Sequence, residues 1–497
     1  MGTDGMDDTP SKRRQWLTPL MKQCFVTSGV SLNMSASGLV VGFGAALLGQ
    51  LRAPGSAIHI DESSGTWLAS LPAIFMFTGN ILVIPIMAKF GRRTANLVSI
   101  SLLIFAWTCI VFAPSVAFLL VARALQGVYM GMSTALGSLL IGEYTSPRNR
   151  GAFLMTISVS ISIGVLAVHA FSSFTNWRMC AKICAMIALT DLFIVVFSPE
   201  SPSWLASQGR YEDCKRVFRW LRGDTEEEEL KKMIEASMVV RESKVKADKS
   251  SFLGKIQKYL IYVKDSIQKK EFYKPLIIMW HIYTLAMWGG VNILVVYIED
   301  FIRATSGDKV NVPNLIMALD VQRIISNIIA IYIVKKIRRR IMLFTTVGID
   351  VIALLSIAAY TYAKTHYTLP FDHPLIGVLL THLMMFAIAT GTLSLSFIIA
   401  GEIFPLEFKT LAGGMSMLSY SASLFIALKT TPFWFANFGV HGTCCLSALM
   451  LSYCLTVAWI LLPETKDRTL QDIEEEFRGR RLSLDIQADP KVKNTVV

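Results

Sequence analysis

The chain has 497 residues, of which 53% are hydrophobic and only 17% charged. A soluble protein of this length would carry more charge on its surface, so that class is excluded. The net charge of +12 sits in short clusters between apolar blocks, which excludes a basic face for nucleic acid.

The apolar blocks are about as long as a bilayer-crossing helix, roughly 20 residues. In chain order they predict twelve spans, near 24–50, 65–88, 94–114, 115–142, 151–173, 177–198, 274–298, 313–334, 341–363, 373–400, 410–436 and 440–462. Residues 1–23 are polar, and the first block is too long for a cleavable signal. Lys89, Arg92 and Arg93 follow the second span, Arg148 and Arg150 the fourth, Lys335, Lys336 and Arg338 to Arg340 the eighth, and Lys409 the tenth. Loops after odd-numbered spans are poorer in basic residues. The positive-inside rule then predicts a multi-pass protein of the cell membrane with both termini cytoplasmic. Between the sixth and seventh spans, Leu230, Ile234 and Met238 recur at helical spacing among charges, which predicts short amphipathic cytoplasmic helices over 203–272. The expected organisation is a segment 1–23, a six-helix bundle 24–202, linker helices 203–272, a second bundle 273–463 and a tail 464–497.

The halves echo each other. "KFGRRTAN" (89–96) corresponds to "KIRRRIML" (336–343), "GEYTSPRNRG" (142–151) to "GEIFPLEFKTLAG" (401–413), and "PESPSWL" (199–205) to "PETKDRTL" (463–470). Such duplication is the signature of a transporter built from two bundles around a midplane site. Gly127 and Gly131 form a small-xxx-small face on the fourth span, suited to close helix approach. Arg123 lies toward the outer end of that span, where it is expected to snorkel to water. The eight cysteines show no metal-ligand spacing and read as packing residues. The glycosylation pattern at Asn33 falls inside the first span and is discounted. Ser483, after two arginines in the tail, is a candidate phosphorylation site. No catalytic constellation, phosphate loop or metal cluster is present, so no enzyme, cofactor or metal is expected.

These motifs, with "RALQGVYMG" (123–131) and "PETKDRTLQDIEEEF" (463–477), resemble the sugar porter family of the major facilitator superfamily over nearly the whole chain. The general texture is similar to insect facilitated trehalose transporters. The resemblance implies an all-α membrane protein of twelve helices in two pseudo-symmetric bundles, working by alternating access. It also implies a cytoplasmic salt-bridge network: Arg92, Arg93, Glu143 and Arg150 in the first half, and Arg339, Arg340, Glu402 and Lys409 in the second. The alternative is that these cations only set topology. Arg338 stands at the family's glycine and Lys335 at its acidic residue, so a weaker or differently wired second set is expected.

The family's sugar site draws on the fifth, seventh, eighth, tenth and eleventh spans. Mapped here it gives Ser158, Asn292, Tyr297, Arg323, Phe397 and Tyr420 as substrate-binding positions, with Tyr297 as an outer gate. Most of the family's amides are replaced, Ala286 and Met287 standing at its paired glutamines. The tenth span lacks its prolines and is expected to run straighter. Gly44 stands where proton-driven members carry a first-span carboxylate, which points to uniport. Asp191, Asp320 and the histidines His169, His281 and His382 leave proton coupling open. Arg323 lies near mid-membrane three residues after Asp320, and two readings stand: an internal pair that tolerates burial, or a cavity-facing cation. The expectation is a facilitative carrier of trehalose or a hexose, in contact with lipid and small-molecule substrate, with no nucleic-acid partner, and as a monomer. The alternatives are a carrier of another solute, such as an organic anion held by Arg323, and a non-transporting nutrient sensor.

Overall fold

The computed structural model describes residues 18–478 apart from 57, 224–225, 248–260, 262, 292, 308–309, 367–372, 406–407, 467 and 469. Ser483 lies outside them. The described residues contain no strand. That follows from the solvent: in hydrocarbon every backbone N–H and C=O must be satisfied within the segment, and a helix does this locally.

The first six spans are Pro19–Arg52, Glu62–Phe90, Arg92–Val111, Val116–Tyr144, Pro147–Phe174 and Trp177–Phe197. Asp61 and Asn176 cap the second and sixth by accepting from Ser64 and Met179 backbone N–H groups. The eighth and ninth spans are Val312–Lys336 and Arg339–His366. The last membrane-spanning helix runs from Lys409 to Leu461, 53 residues, and a short helix, Leu470–Arg478, follows it. At 1.5 Å per residue the long helix would measure about 80 Å, far beyond a bilayer core of about 30 Å. Gly439, at φ 64°, breaks it into an eleventh and a twelfth span. That conformation is cheap only for glycine.

The seventh and tenth spans are interrupted at matching depth. Lys270–Ala286 passes through a π-turn at Met287–Val291, with Gly290 at φ 92°, before Ile293–Val296 and Ile298–Ser306. Pro374–Ala387 passes through a π-turn at Ile388–Thr392 into Leu393–Ile403. The tenth span is therefore not the uniform helix expected from its missing prolines. A π-turn interrupts the α ladder without one, and Gly391 there lies so close to Thr346 that a Cβ would sit 1.8 Å from its hydroxyl oxygen.

Glycine contacts also set the pairing inside the first half. A Cβ on Gly127 would lie 2.4 Å from the Pro72 carbonyl, and one on Gly131 would lie 2.0 Å from that of Met76. The second and fourth spans thus meet backbone to backbone, as the small-xxx-small face predicts. Phe105, Phe193, Ile352 and Trp459 are exposed on the bundle's outside, where lipid is the solvent. Helices Pro202–Ser207, Tyr211–Arg222 and Glu227–Ala247 follow the sixth span. Leu230 is buried with Leu205, Cys214 and Phe218, and Ile234 packs against them, while Met238 is exposed.

Because each half has six spans, the first and last described residues emerge on one face, here called the terminal face. The core of the first half, built on Leu39, Phe43 and Trp107, also takes in Val295, Val296, Tyr297 and Leu428 of the second. The two halves therefore join near the opposite, far face.

Candidate functional site

At the terminal face the duplicated motifs build the same device twice. The Arg92 guanidinium donates to the Glu143 carboxylate through Nε at 3.2 Å and Nη2 at 3.1 Å. Arg339 does the same to Glu402, through Nε at 3.3 Å and Nη2 at 3.0 Å. Glu200 accepts from the Arg92 and Arg93 backbone N–H groups at 2.9 and 3.2 Å. Glu464 accepts from those of Arg339 and Arg340 at 2.9 and 3.1 Å. Each glutamate thereby caps a helix N-terminus, where a carboxylate is favoured. Arg93 and Arg340 donate to the Val196 and Trp459 carbonyls. The second set is thus wired like the first, despite Arg338 and Lys335, and gains a 2.6 Å bond from Thr465 to Glu402. Both ion pairs stay within one half. The side chains of Arg150 and Lys409 lie outside the described residues.

At mid-depth Phe397, Tyr420 and Tyr283 form an aromatic cluster, with ring centroids 5.3 to 6.2 Å apart. Phe397 is 39% exposed, although it sits between helices. One turn earlier on the tenth span, Ser394 donates to Asn327 at 3.4 Å, and the Asn327 amide donates across the halves to Ser162 at 2.8 Å. Ser162 in turn donates to the Ser158 carbonyl at 3.0 Å, so Ser158 is half-buried beside this set. Ala286, Met287 and Ala427 make a neighbouring apolar wall. Asn292 lies outside the described residues.

At the far face Arg52 pairs with Asp300 at 3.2 Å. Lys429 donates to Thr66 at 2.6 Å and lies 4.0 Å from the centre of the Trp67 ring. Tyr297 is buried and donates to the Leu428 carbonyl at 2.8 Å, so its hydroxyl is committed to protein. His169 of the fifth span meets Asp320 of the eighth at 2.6 Å, and Arg323 donates to the other Asp320 oxygen. The Asp320–Arg323 pair therefore forms, with a third member from the other half. Asp191, by contrast, is buried inside the first half beside Gly29.

Arg123 does not snorkel. It is 2% exposed and donates to the carbonyls of Leu68 and Val40 and to the Gln126 amide oxygen at 2.8 to 3.0 Å. Backbone oxygens thus satisfy the guanidinium inside the bundle. Gly44 faces it: a Cβ there would lie 3.3 Å from Nη2.

The model of the family described as "Sugar (and other) transporter" matches residues 22–477. The chain belongs to that family. It is a multi-pass membrane transporter, not an enzyme. It is 25% identical to the facilitated trehalose transporter of Culex quinquefasciatus, over 93% of this chain and 88% of that one. The same named transporter of Aedes aegypti is 25% identical over 90% of this chain, which spans about half of that longer relative (55%). The proton:xylose symporter XylE bound to a bromodeoxyglucose is similar in structure, with a TM-score of 0.70, 17% identity, and coverage of 91% of this chain and 99% of that one. A partially occluded inward-open XylE from E. coli gives 0.71 at 18% identity, over 90% and 99%. This likeness fixes the transporter's fold as that of the major facilitator superfamily.

Several residues of these sets escaped the sequence. Ser162, Asn327, Ser394 and Tyr283 carry no motif. His169 stood out only as an isolated histidine. Glu200 and Glu464 had a readable signal, since each follows a proline at the same place in the duplicated motifs.

Proposed function

We propose that this transporter is a facilitative carrier of a neutral, hydroxyl-rich solute, trehalose or a hexose, across the cell membrane with both termini in the cytoplasm. The observation that carries this reading is the mid-depth set. Amide and hydroxyl groups from Ser162, Asn327 and Ser394 stand one turn from the aromatic cluster of Phe397, Tyr420 and Tyr283, at the line where the two halves meet. Hydroxyls need such donors and acceptors, and sugar faces suit aromatic rings. Ser158 adjoins the set, and Tyr297 serves as a gate rather than a ligand. The named activity of the trehalose transporters supports the solute class.

Uniport is supported by Gly44 opposite Arg123, because the place where a proton-carrying acid would face that cation has no side chain. An organic-anion carrier using Arg323 loses its basis, since Asp320 already neutralises that charge. The terminal-face pairs, Arg92–Glu143 and Arg339–Glu402, are proposed as halves of a network that reorganises when that face closes. Bundles at 24–202 and 273–463, joined by 203–272, are the proposed moving bodies. Purified protein in liposomes, offered labelled trehalose, glucose and a panel of organic anions, tests the reading. Uptake of a sugar is expected. Uptake of an anion alone, or binding without flux, contradicts it.

A further inference from the structure

The fifth and eighth spans run antiparallel across the line between the halves, in matched register. His169 faces Asp320, and seven residues deeper on each helix Ser162 faces Asn327. His169 lies about 8 Å from the far-face end of its helix and Asp320 about 12 Å from its own, at 1.5 Å per residue. Both are almost fully buried. The two bonds that hold Asp320 differ in kind. The one to His169 crosses between bodies that rock apart. The one to Arg323 runs within a single helix, three residues on, and survives any rigid motion of that helix.

We propose that His169 and Asp320 are positioning residues of the transport cycle, whose contact holds the far-face seam shut, and that Arg323 is the counter-ion that makes this latch reversible. Opening the far face separates His169 from Asp320. Without Arg323 a carboxylate would then be left bare inside the membrane, at a cost that would block the step. With it, only a single charge-assisted bond is lost. Arg52–Asp300 and Lys429–Thr66 lie in the same seam but are more exposed and contribute less. The mid-membrane arginine is, on this reading, part of the conformational machinery. The inference rests on alternating access and is independent of which solute is carried.

Hydrogen–deuterium exchange on the full chain in lipid nanodiscs tests it without substrate. His169→Ala is expected to raise amide exchange about 10-fold at the far-face ends of the fifth and eighth spans, the loss of one charge-assisted bond, and to lower it at their terminal-face ends. His169→Gln, which keeps an N–H donor, is expected to restore the wild-type pattern. Arg323→Gln is expected to shift exchange the opposite way, protecting the far face. A merely structural role would raise exchange at both faces in every variant. That outcome, or an unchanged far face in His169→Ala, overturns the proposal. If Arg323→Gln fails to fold, the His169→Ala and His169→Gln pair still decides. Failure of sugar uptake in liposomes would leave these patterns untouched, so the two readings fail separately.

Discussion

In the proposed site, Asn327 supplies an amide one turn from the eighth-span position that the family resemblance assigns to substrate. The position the family uses on the eighth span holds Arg323, tied to Asp320, while the amide stands one turn deeper and reaches Ser162 in the other half. Asn327→Ala is expected to raise KM for a transported sugar about 10-fold, the loss of roughly one substrate hydrogen bond, with a smaller change in kcat. Uptake kinetics in proteoliposomes measure the split. Gly131 makes a different residue-scale demand. Its Cβ would overlap the Met76 carbonyl, so Gly131→Leu is expected to cost on the order of 3 kcal/mol and abolish the monodisperse peak in size-exclusion chromatography. Gly131 was legible in the sequence because the small-xxx-small spacing states its own reason. Asn327, Ser162 and His169 were not. Their meaning depends on which helix faces which, and in what register, and a single chain does not encode that in any local spacing. Arg123 misled for a related reason: its place along the helix was right, but the backbone carbonyls that receive it belong to other spans.

Helical elements were the most legible level. Long apolar blocks can only span, and basic clusters marked alternate ends, so the twelve spans fall close to where hydropathy puts them. The interruptions of the seventh and tenth spans are the exception, since a π-turn leaves no sequence pattern as sure as a proline's. The repeated terminal-face device predicts that Arg92→Ala and Arg339→Ala slow transport to within about a factor of two of each other, because both remove a two-point bond to a part-buried glutamate. Parallel initial-rate assays check this. In the linker, burial pushes the Cys214 thiol up to about 11. It stays protonated well above neutral pH and is expected to react with maleimide only when the helices Tyr211–Arg222 and Glu227–Ala247 come apart. Labelling followed by peptide mass spectrometry at pH 8, with and without mild denaturant, reads this directly.

At the scale of the whole molecule, the halves are joined at the far face and at mid-depth, while the terminal-face ion pairs lie within each half. That arrangement suits a carrier resting with its far side sealed. The internal duplication already implied two bodies; which face they share was beyond sequence, because it depends on contacts between distant spans that no local spacing encodes. On the proposed reading, Gly44 opposite Arg123 leaves no first-span acid to carry a proton, and that makes the central claim testable in one assay. Proteoliposomes loaded at a defined internal pH are given labelled trehalose or glucose under an imposed proton gradient. Facilitated diffusion predicts uptake that stops when inside and outside concentrations are equal, whatever the gradient's direction. Accumulation above the external concentration, collapsing when the gradient is dissipated, would contradict it.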